Sequence, residues 1–447
     1  MNLRDHPTVK RYYEKKSTSR TVESAERLDS AWVRQIVLDA GADDVGLASI
    51  DSPALAAYRS KFLTVFPEAR TCISVVCRMN PENVRSSFRQ QYELEYHHMF
   101  AEASHVARRA AVKFAERGIR AIDCSSSYPM NMENFPNMEM WYVNHKPIAV
   151  AAGLGSMGTH HLVVHERFGS MMALSSILLD REVTEYGRPL GYDPCCKCML
   201  CVTVCPVGAI NADGHLNAMA CYHHSYRHKY GGFVDWVENI VQSRSVRDYR
   251  RKHSDAETVL MWQSLYYGES YKCTNCMAVC PGGEDHIGPY AEDQKRYRED
   301  VADRLTGRKE TVYVVKGSDA EAHVIKRFPH KTVKYVHSCT RPTSAAKFFE
   351  NLHIVFQREQ SKGLNAVYHL TFTGAETCQG TIVIRDKKLE VSDGLNGTPD
   401  VRITADTDTW LKILRGEKNF LAAVLTRKVR VQGSKDLLKS FVRCFPA

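Results

Sequence analysis

Fifteen cysteines occur in this 447-residue chain, and seven of them fall into two runs of regular spacing. The runs read CxxCxxCxxxCP and CxxCxxxCP and contain Cys195, Cys198, Cys201, Cys205, Cys273, Cys276 and Cys280. Cysteines spaced in this way, with a proline after the last one, hold 4Fe–4S clusters as thiolates. Because a chance match to both runs is improbable, the pattern predicts a protein that transfers electrons.

The order of the cysteines also predicts which cluster each one binds. Two clusters need two sets of four thiolates, and Cys221, between the runs, supplies the one that the runs lack. In two-cluster proteins the cysteine before the proline ligates the other cluster. The predicted sets are therefore Cys195, Cys198, Cys201 and Cys280 in one, and Cys205, Cys221, Cys273 and Cys276 in the other. Zinc is the main alternative, but structural zinc sites use paired CxxC or Cys/His spacings. Cys196 is out of register, and we expect it to be dispensable.

Length and composition exclude several classes of protein. The chain is long enough for two or three domains, with ordinary hydrophobic (44%) and charged (25%) fractions. It has no apolar run of membrane-spanning length and no export signal at its start, and it uses reduced cysteines as ligands, so we expect a cytoplasmic protein. The net charge of +9 is dispersed and no nucleic-acid motif accompanies it. A mildly positive face suits an acidic electron donor, such as reduced ferredoxin or flavodoxin, better than nucleic acid.

Helix and strand patterns alternate in the first part of the chain, which predicts an α/β layer structure. The predicted elements are a helix at Ser30–Asp39, strands at Asp44–Ala48 and Ala69–Cys77, a helix from about Tyr92 to Glu116, and a strand at Ile119–Asp123. Three cysteines lie in or beside these strands and are interpreted as core residues rather than ligands: Cys72, Cys77 and Cys124.

A GxGxxG string, Gly153 to Gly158, follows this region. A dinucleotide fingerprint follows the first strand of a βαβ unit, whereas this string follows a helical segment, Pro147–Ala152. We therefore reject nicotinamide binding. What remains is a place where the backbone approaches another group closely.

The chain divides into four predicted segments. They are an α/β domain (1–190), a ferredoxin-like domain (191–304), a connector (305–344) and a separate α+β domain (345–447). The last contains predicted helices at Ala345–Gln357, Asp408–Leu414, Asn419–Leu425 and Lys435–Cys444, and strands at Ala366–Phe372, Gly380–Ile384, Lys388–Val391, Val401–Ala405 and Val429–Gln432.

Residues from about Val33 to Pro289 resemble the corrinoid-dependent reductases, a family that includes reductive dehalogenases and epoxyqueuosine reductase. The resemblance rests on both cysteine runs, Cys221 and the segments Ala40–Ala48, Phe66–Ser74, Tyr96-His97, Lys146–Gly158 and Phe168–Ser170. It implies a cobalamin, bound without a lower axial ligand, close to one cluster. The residues it implies as contacts are Gly153, Leu154, Gly155, Gly158, His160 and Ser170. In such enzymes the clusters deliver electrons singly to the cobalt, and the protein orients the substrate and supplies a proton.

The resemblance leaves the proton donor open between two patterns. Epoxyqueuosine reductases carry an aspartate before the segment that matches Lys146, and ungapped counting places Glu139 there. Reductive dehalogenases use a tyrosine backed by a basic residue, which suggests Tyr128 or Tyr142 with Lys146. A nearby lysine lowers the pKa of a tyrosine and so favours proton donation.

Residues from about Ala345 to Pro446 resemble a sterol-carrier-protein domain. The matching segments are Phe372–Gly374, Gly380–Ile384, Asp393-Gly394 and Lys428–Gly433. The resemblance implies helices over a curved sheet, with a gap between them that either binds a lipid-like ligand or is a solid core in a domain used to form a homodimer. The apolar side chains predicted to face the gap are Phe348, Phe349, Trp410, Leu411, Leu414, Phe420, Leu421 and Val424.

Three functions agree with these features. The leading interpretation is a cobalamin-dependent iron–sulfur oxidoreductase that dehalogenates a small organohalide. The second is epoxide reduction of the epoxyqueuosine type; that enzyme acts on transfer RNA, usually with a helical-repeat C-terminal region that is replaced here. The third is a non-catalytic protein that transfers electrons or binds a corrinoid or lipid.

Overall fold

A four-stranded antiparallel sheet forms the centre of the N-terminal region. The structure is a computed structural model and describes residues 3–18, 27–126, 128–132, 140–228, 231–267, 273–338 and 340–446. The helices of this region are α1 (Pro7–Thr18), α2 (Ser30–Asp39), α3 (Arg59–Val65), α4 (Pro81–Arg85), α5 (Arg89–Ala115) and α6 (His145–Ala151). The strands are β1 (Arg27–Leu28), β2 (Asp44–Ser49), β3 (Thr71–Arg78), β4 (Ala121–Cys124), β5 (Gly155–Met157), β6 (Val163–His165), β7 (Met172–Leu179) and β8 (Glu182–Val183).

The sheet has the strand order β2-β3-β7-β4, and each neighbouring pair is antiparallel. Its two central strands, β3 and β7, are buried at almost every position, since helices cover both faces. On one face lies α5, whose buried side chains include Val106, Ala110 and Phe114, at helical spacing. Helix α6 packs on the other face against β3 and β7. The predicted mixed α/β architecture is confirmed, with a sheet whose strands all run antiparallel.

Short helices surround the cysteine runs. They are α7 (Leu200–Val204), α8 (Ala218–Ser225), α9 (Gly231–Gln242), α10 (Val246–Lys252), α11 (Asp255–Tyr267), α12 (Asn275–Ala278), α13 (Glu284–Glu292), α14 (Gln294–Tyr297), a π-helical turn (Arg298–Asp303) and α15 (Arg304–Thr306). Helices α9 to α11 form the insertion between the two runs, which the sequence analysis left without elements.

The segment predicted as a connector is a small βαβ unit. It consists of β9 (Thr311–Val315), α16 (Asp319–Arg327) and β10 (Thr332–Val336), with the two strands parallel. Its Val312 and Val324 belong to one hydrophobic core that begins at Val33 and includes residues of both cysteine runs. The first three predicted segments are thus packed around a shared core.

The C-terminal domain has its own core. Its helices are α17 (Ala345–Val355), α18 (Thr407–Leu414), α19 (Phe420–Leu425) and α20 (Lys435–Cys444), and its strands are β11 (Ala366–Thr373), β12 (Cys378–Arg385), β13 (Lys388–Asp393), β14 (Val401–Asp406) and β15 (Val429–Gly433). The strand order is β13-β12-β11-β14-β15, with only the β11–β14 pair parallel. In the described part of the whole chain, no helix combines the length and the apolar character needed to cross a membrane.

Candidate functional site

Four of the predicted ligands line one cavity. Cys195, Cys198, Cys201 and Cys280 surround it, together with Thr159 and His160 from the loop before β6, and Cys196 also lines it. Burial, together with the neighbouring thiols of Cys280, Cys198 and Cys195, raises the pKa of Cys201 to about 12. These four thiols therefore lie close enough to interact, and none of them is in a disulfide.

The other four predicted ligands form a second group. Burial first, and then the thiols of Cys273, Cys221 and Cys205, raise the pKa of Cys276 well above its ordinary value. Burial, with a contribution from the Glu310 carboxylate, likewise raises the pKa of Cys273. The structure thus brings these four thiols near one another, and the assignment of each set to one cluster stays a prediction.

Backbone amides point at several of these sulfurs. Ala209 N donates to Cys205 Sγ at 3.2 Å. Burial raises the pKa of the Cys205 thiol, and the backbone N–H groups of Ala209 and of three neighbouring residues oppose that rise. Cys280 accepts from the backbone of Gly282, and the Ser170 hydroxyl lies beside its sulfur. Such donors stabilise negative charge on sulfur, as they do around iron–sulfur clusters.

The donor set fits an iron–sulfur cluster. It consists of four thiols spread around a space, with amide donors to the sulfurs. Among the described residues, no three His, Cys, Asp or Glu side chains converge tightly enough to hold a single metal ion. The arrangement of the first cysteine run follows from its backbone, in which Lys197 and Met199 take left-handed conformations (φ 49° and 60°) that turn the loop around the cavity.

The β5–β6 hairpin is attached to the first cysteine run. Ser156 Oγ donates to Asp193 Oδ1, which also accepts from Cys195 N at 3.0 Å. Thr159 Oγ1 lies 3.7 Å from Cys195 Sγ. Asp193 and Thr159 were not predicted as site residues. The signal for Asp193 was the Asp-x-Cys spacing, at which a carboxylate accepts a hydrogen bond from the amide two residues later.

The glycine string is explained by packing within the chain. A Cβ on Gly153, where φ is +79°, would lie 2.4 Å from Arg188 O, and one on Gly155 would lie 2.3 Å from Val164 O. At Gly158 the space is taken by the His160 ring, 2.7 Å away. At these three glycines the group that approaches the backbone closely is the chain itself. Contact of this loop with a corrinoid stays a prediction that rests on the resemblance.

The remaining predicted contacts face the protein interior. Leu154 packs in a buried cluster with Ala149 and Phe168. Ser170 Oγ donates to Met277 O at 3.4 Å, which places the hydroxyl beside the second cysteine run. His160 is 5% exposed, and burial, then the charges of Lys146 and His161, lower its pKa to about 4. Its ring is therefore neutral at neutral pH.

The predicted proton donors lie at the surface beside α6. Tyr128 and Tyr142 are 47% and 40% exposed, and Asn131 Nδ2 donates to Tyr142 Oη at 3.2 Å. Lys146 Nζ donates to His161 O at 2.7 Å, so its ammonium holds the turn that follows β5. Glu139 lies outside the described residues.

Two stretches of backbone meet where the second run ends. A Cβ on Gly169, where φ is +61°, would lie 1.9 Å from Gly282 O. Two hydrogen bonds accompany this contact, from Glu284 N to Glu166 O at 2.9 Å and from Asp285 N to Arg167 O at 3.0 Å. The loop that carries Cys280 is thus held directly against the chain that follows β6.

We expect Gly169→Ala to destabilise the protein much more than Gly118→Ala. Both glycines have positive φ, and a left-handed alanine costs about 1–2 kcal/mol. Gly118 has no atom within 4 Å of the added Cβ, whereas at Gly169 the new atom meets a carbonyl. Urea unfolding followed by circular dichroism measures both, and iron analysis reports whether Cys280 stays in place. Equal midpoints for the two variants would contradict the backbone contact.

In the C-terminal domain most of the predicted gap-facing side chains pack together. The Trp410 ring contacts Phe348, Phe372 and Phe420, with centroids 5.7, 6.0 and 6.5 Å away. The indole Nε1 of Trp410 is buried and has no hydrogen-bond partner in the part of the chain that the structure describes. The prediction for Leu421 is wrong: it is 70% exposed, because α19 buries Ala423 instead.

Comparison with known proteins identifies relatives of both parts of the chain. Residues 353–445 match the SCP-2 sterol transfer family. An epoxyqueuosine reductase of Lactococcus garvieae is 30% identical over 214 residues, which cover 46% of this chain and 48% of that protein. About half of this chain is therefore homologous to an epoxyqueuosine reductase. Both resemblances stated from the sequence are confirmed.

Two solved structures extend the comparison. An epoxyqueuosine reductase from Streptococcus thermophilus is 14% identical with a TM-score of 0.34, covering 62% of this chain and 78% of that one. The catabolic reductive dehalogenase NpRdhA is 15% identical with a TM-score of 0.35, covering 60% of this chain and 37% of that one. The aligned region of the Lactococcus garvieae relative spans about half of that protein's length.

Proposed function

We propose that this chain is a two-cluster iron–sulfur reductase that passes electrons to a bound corrinoid. The observation that carries the proposal is the grouping of eight cysteines into two sets, one of them around a cavity. When bound, the clusters supply low-potential electrons singly, and the corrinoid supplies the chemistry of bond cleavage. Because the cysteines must stay reduced to bind iron, we place the protein in the cytoplasm.

The residues of this chain have three tasks in the proposed reaction. The cysteines hold the clusters, and the amide groups that donate to their sulfurs stabilise the negative charge. The β5–β6 hairpin, attached through Asp193 to the first run, forms one wall of the cluster cavity. The surface loop that carries Tyr128 and Tyr142 is the proposed source of the proton that the reduced substrate takes up.

Two substrate classes remain, each with an observation in its favour. Homology to epoxyqueuosine reductases favours reduction of an epoxide. The match of residues 353–445 to a sterol transfer family favours a small apolar molecule, such as an organohalide, that the C-terminal domain could bind.

Anaerobic reconstitution with iron, sulfide and cobalamin tests the proposal. We expect the visible absorption of iron–sulfur clusters and the spectrum of base-off cobalamin. A reduced dye should be oxidised only when substrate is present. Turnover with haloaromatic compounds supports dehalogenation, whereas conversion of epoxyqueuosine in transfer RNA supports epoxide reduction. Clusters without any corrinoid binding would reduce the proposal to an electron-transfer protein.

Deletion of residues 345–447 tests what the C-terminal domain contributes. Its core is separate from that of residues 33–324, so we expect the shortened protein to keep its clusters. If the domain delivers apolar substrate, turnover should fall at least about tenfold at low substrate concentration, because a high effective concentration is lost. Size-exclusion chromatography is the companion measurement. A monomeric product with unchanged turnover would make the domain an assembly module instead.

A further inference from the structure

One side chain on the wall of the first cysteine cavity has an unused hydrogen-bond donor. His160 lines the cavity together with Cys195, Cys198, Cys201 and Cys280. Its Nε2 is buried and has no hydrogen-bond partner among the described residues. A buried polar atom without a partner is costly, so such an atom calls for an explanation.

The other ring nitrogen fixes where the proton lies. Leu162 N donates to His160 Nδ1 at 3.1 Å, so Nδ1 acts as an acceptor and carries no hydrogen. In a neutral imidazole one nitrogen is a donor and the other is an acceptor. The proton of His160 is therefore on Nε2, and this N–H has no acceptor in the part of the chain that the structure describes.

The position of the ring is also fixed from several sides. The imidazole occupies space that is free because residue 158 is a glycine. A Cβ on Gly158 would lie only 2.7 Å from His160 Cε1. Lys146 Nζ holds the next residue through His161 O at 2.7 Å. Thr159, immediately before, lies 3.7 Å from the sulfur of Cys195. The ring is thus held at the cavity independently of any ligand.

We propose that His160 Nε2–H donates a hydrogen bond to a sulfur of the cluster held by Cys195, Cys198, Cys201 and Cys280. This inference rests on the proposed function, because it needs a cluster in the cavity. Hydrogen bonds to cluster sulfurs stabilise the more negative, reduced state and so raise the reduction potential. His160 is then a positioning residue that sets the potential of this cluster, and not a contact of the corrinoid as the family resemblance implies.

Potentiometric titration followed by electron paramagnetic resonance tests this role without measuring turnover. We expect His160→Phe, which keeps the ring shape but has no N–H, to shift one of the two clusters to a more negative potential. His160→Gln, whose amide offers a donor in a similar place, should restore much of the wild-type value. His161→Phe is the matched control: its Nε2 bonds Gly214 O at 2.9 Å outside the cavity, so both potentials should stay unchanged.

A second measurement needs only the wild-type protein and the glutamine variant. In protein labelled with ¹⁵N-histidine, we expect a ¹⁵N coupling to the reduced cluster that disappears in His160→Gln. Unchanged potentials in His160→Phe with full iron content, or a coupling that persists in His160→Gln, would overturn the inference. Loss of cobalamin affinity in His160→Phe with unchanged potentials would assign the residue to the corrinoid. A wild-type protein that binds no cluster would instead contradict the proposed function itself.

Discussion

Replacing Cys221 with alanine should leave the protein with about four irons per chain instead of about eight, since three thiolates hold a 4Fe–4S cluster poorly. Cys221 lies on α8, between the two runs, and interacts with the thiols of Cys273 and Cys276. The cluster held by Cys195, Cys198, Cys201 and Cys280 should remain. We therefore expect half of the iron and sulfide, together with the electron paramagnetic resonance signal of one cluster.

Cys196→Ala is the matched control for this result. Cys196 is exposed and stands next to a predicted ligand, but it is out of register with both sets. The control should keep about eight irons. The same full iron content in Cys221→Ala would remove Cys221 from the ligand set, and a loss of iron in Cys196→Ala would make that cysteine a ligand instead.

Loss of the proton donor should reduce turnover about a hundredfold or more while the clusters stay intact. The variants are Tyr128→Phe, Tyr142→Phe and Glu139→Gln, each of which removes one acidic proton with little change of shape. Of the two tyrosines, Tyr142 is held by Asn131, at 3.2 Å from its hydroxyl. Steady-state kinetics with each substrate class measures the effect, and iron and cobalamin contents show that the cofactors are retained.

The control for these variants is Tyr267→Phe, an equally conservative change at an exposed tyrosine of α11. It should leave turnover unchanged. The expected signature of the donor is a lower kcat with little change in KM, because a general acid acts on the chemical step. Full activity in all three variants would place the acid elsewhere in the chain.

Helices and strands in which apolar residues recur at a regular spacing were predictable from the sequence. The helices Ser30–Asp39 and Lys435–Cys444 have the predicted ends, and strand β14 differs from its prediction by one residue. In β14 buried and exposed positions alternate from Val401 to Ala405, which is the pattern of a half-buried strand. Immediately before each of these two helices, an Asp or a Ser side chain caps the first turn.

The central strand β7 was not predictable in the same way. Its sequence, Met172 to Leu179, is apolar with two serines and is buried on both faces, so no alternation marks it as a strand. The serines are accommodated because Ser175 Oγ donates to Cys124 O and Ser176 Oγ bonds to His145 Nδ1. Strand β7 lies between β3 and β4 and pairs with both. Because β7 was not predicted, the antiparallel sheet could not be deduced.

For the site, spacing predicted the grouping of the cysteines but not what surrounds them. Metal-binding spacing is a local property, whereas the hydroxyl groups beside the sulfurs come from distant segments such as Ser170 and Thr159. The glycines illustrate the same limit. Sequence indicates that backbone must approach something at Gly153 and Gly155, but only the fold shows that the partners are the carbonyls of Arg188 and Val164.

In the proposed ligand sets each run contributes its last cysteine to the other set, and this has a consequence for biosynthesis. Cys195, Cys198 and Cys201 are made first, yet their set is incomplete until Cys280 has left the ribosome. The other set likewise waits for Cys273 and Cys276, although Cys205 and Cys221 emerge much earlier. A truncated nascent chain therefore presents only partial sets, and an iron–sulfur carrier has nothing complete to load. With the proposed ligand sets, cluster insertion can be completed only after Cys280 has been synthesised.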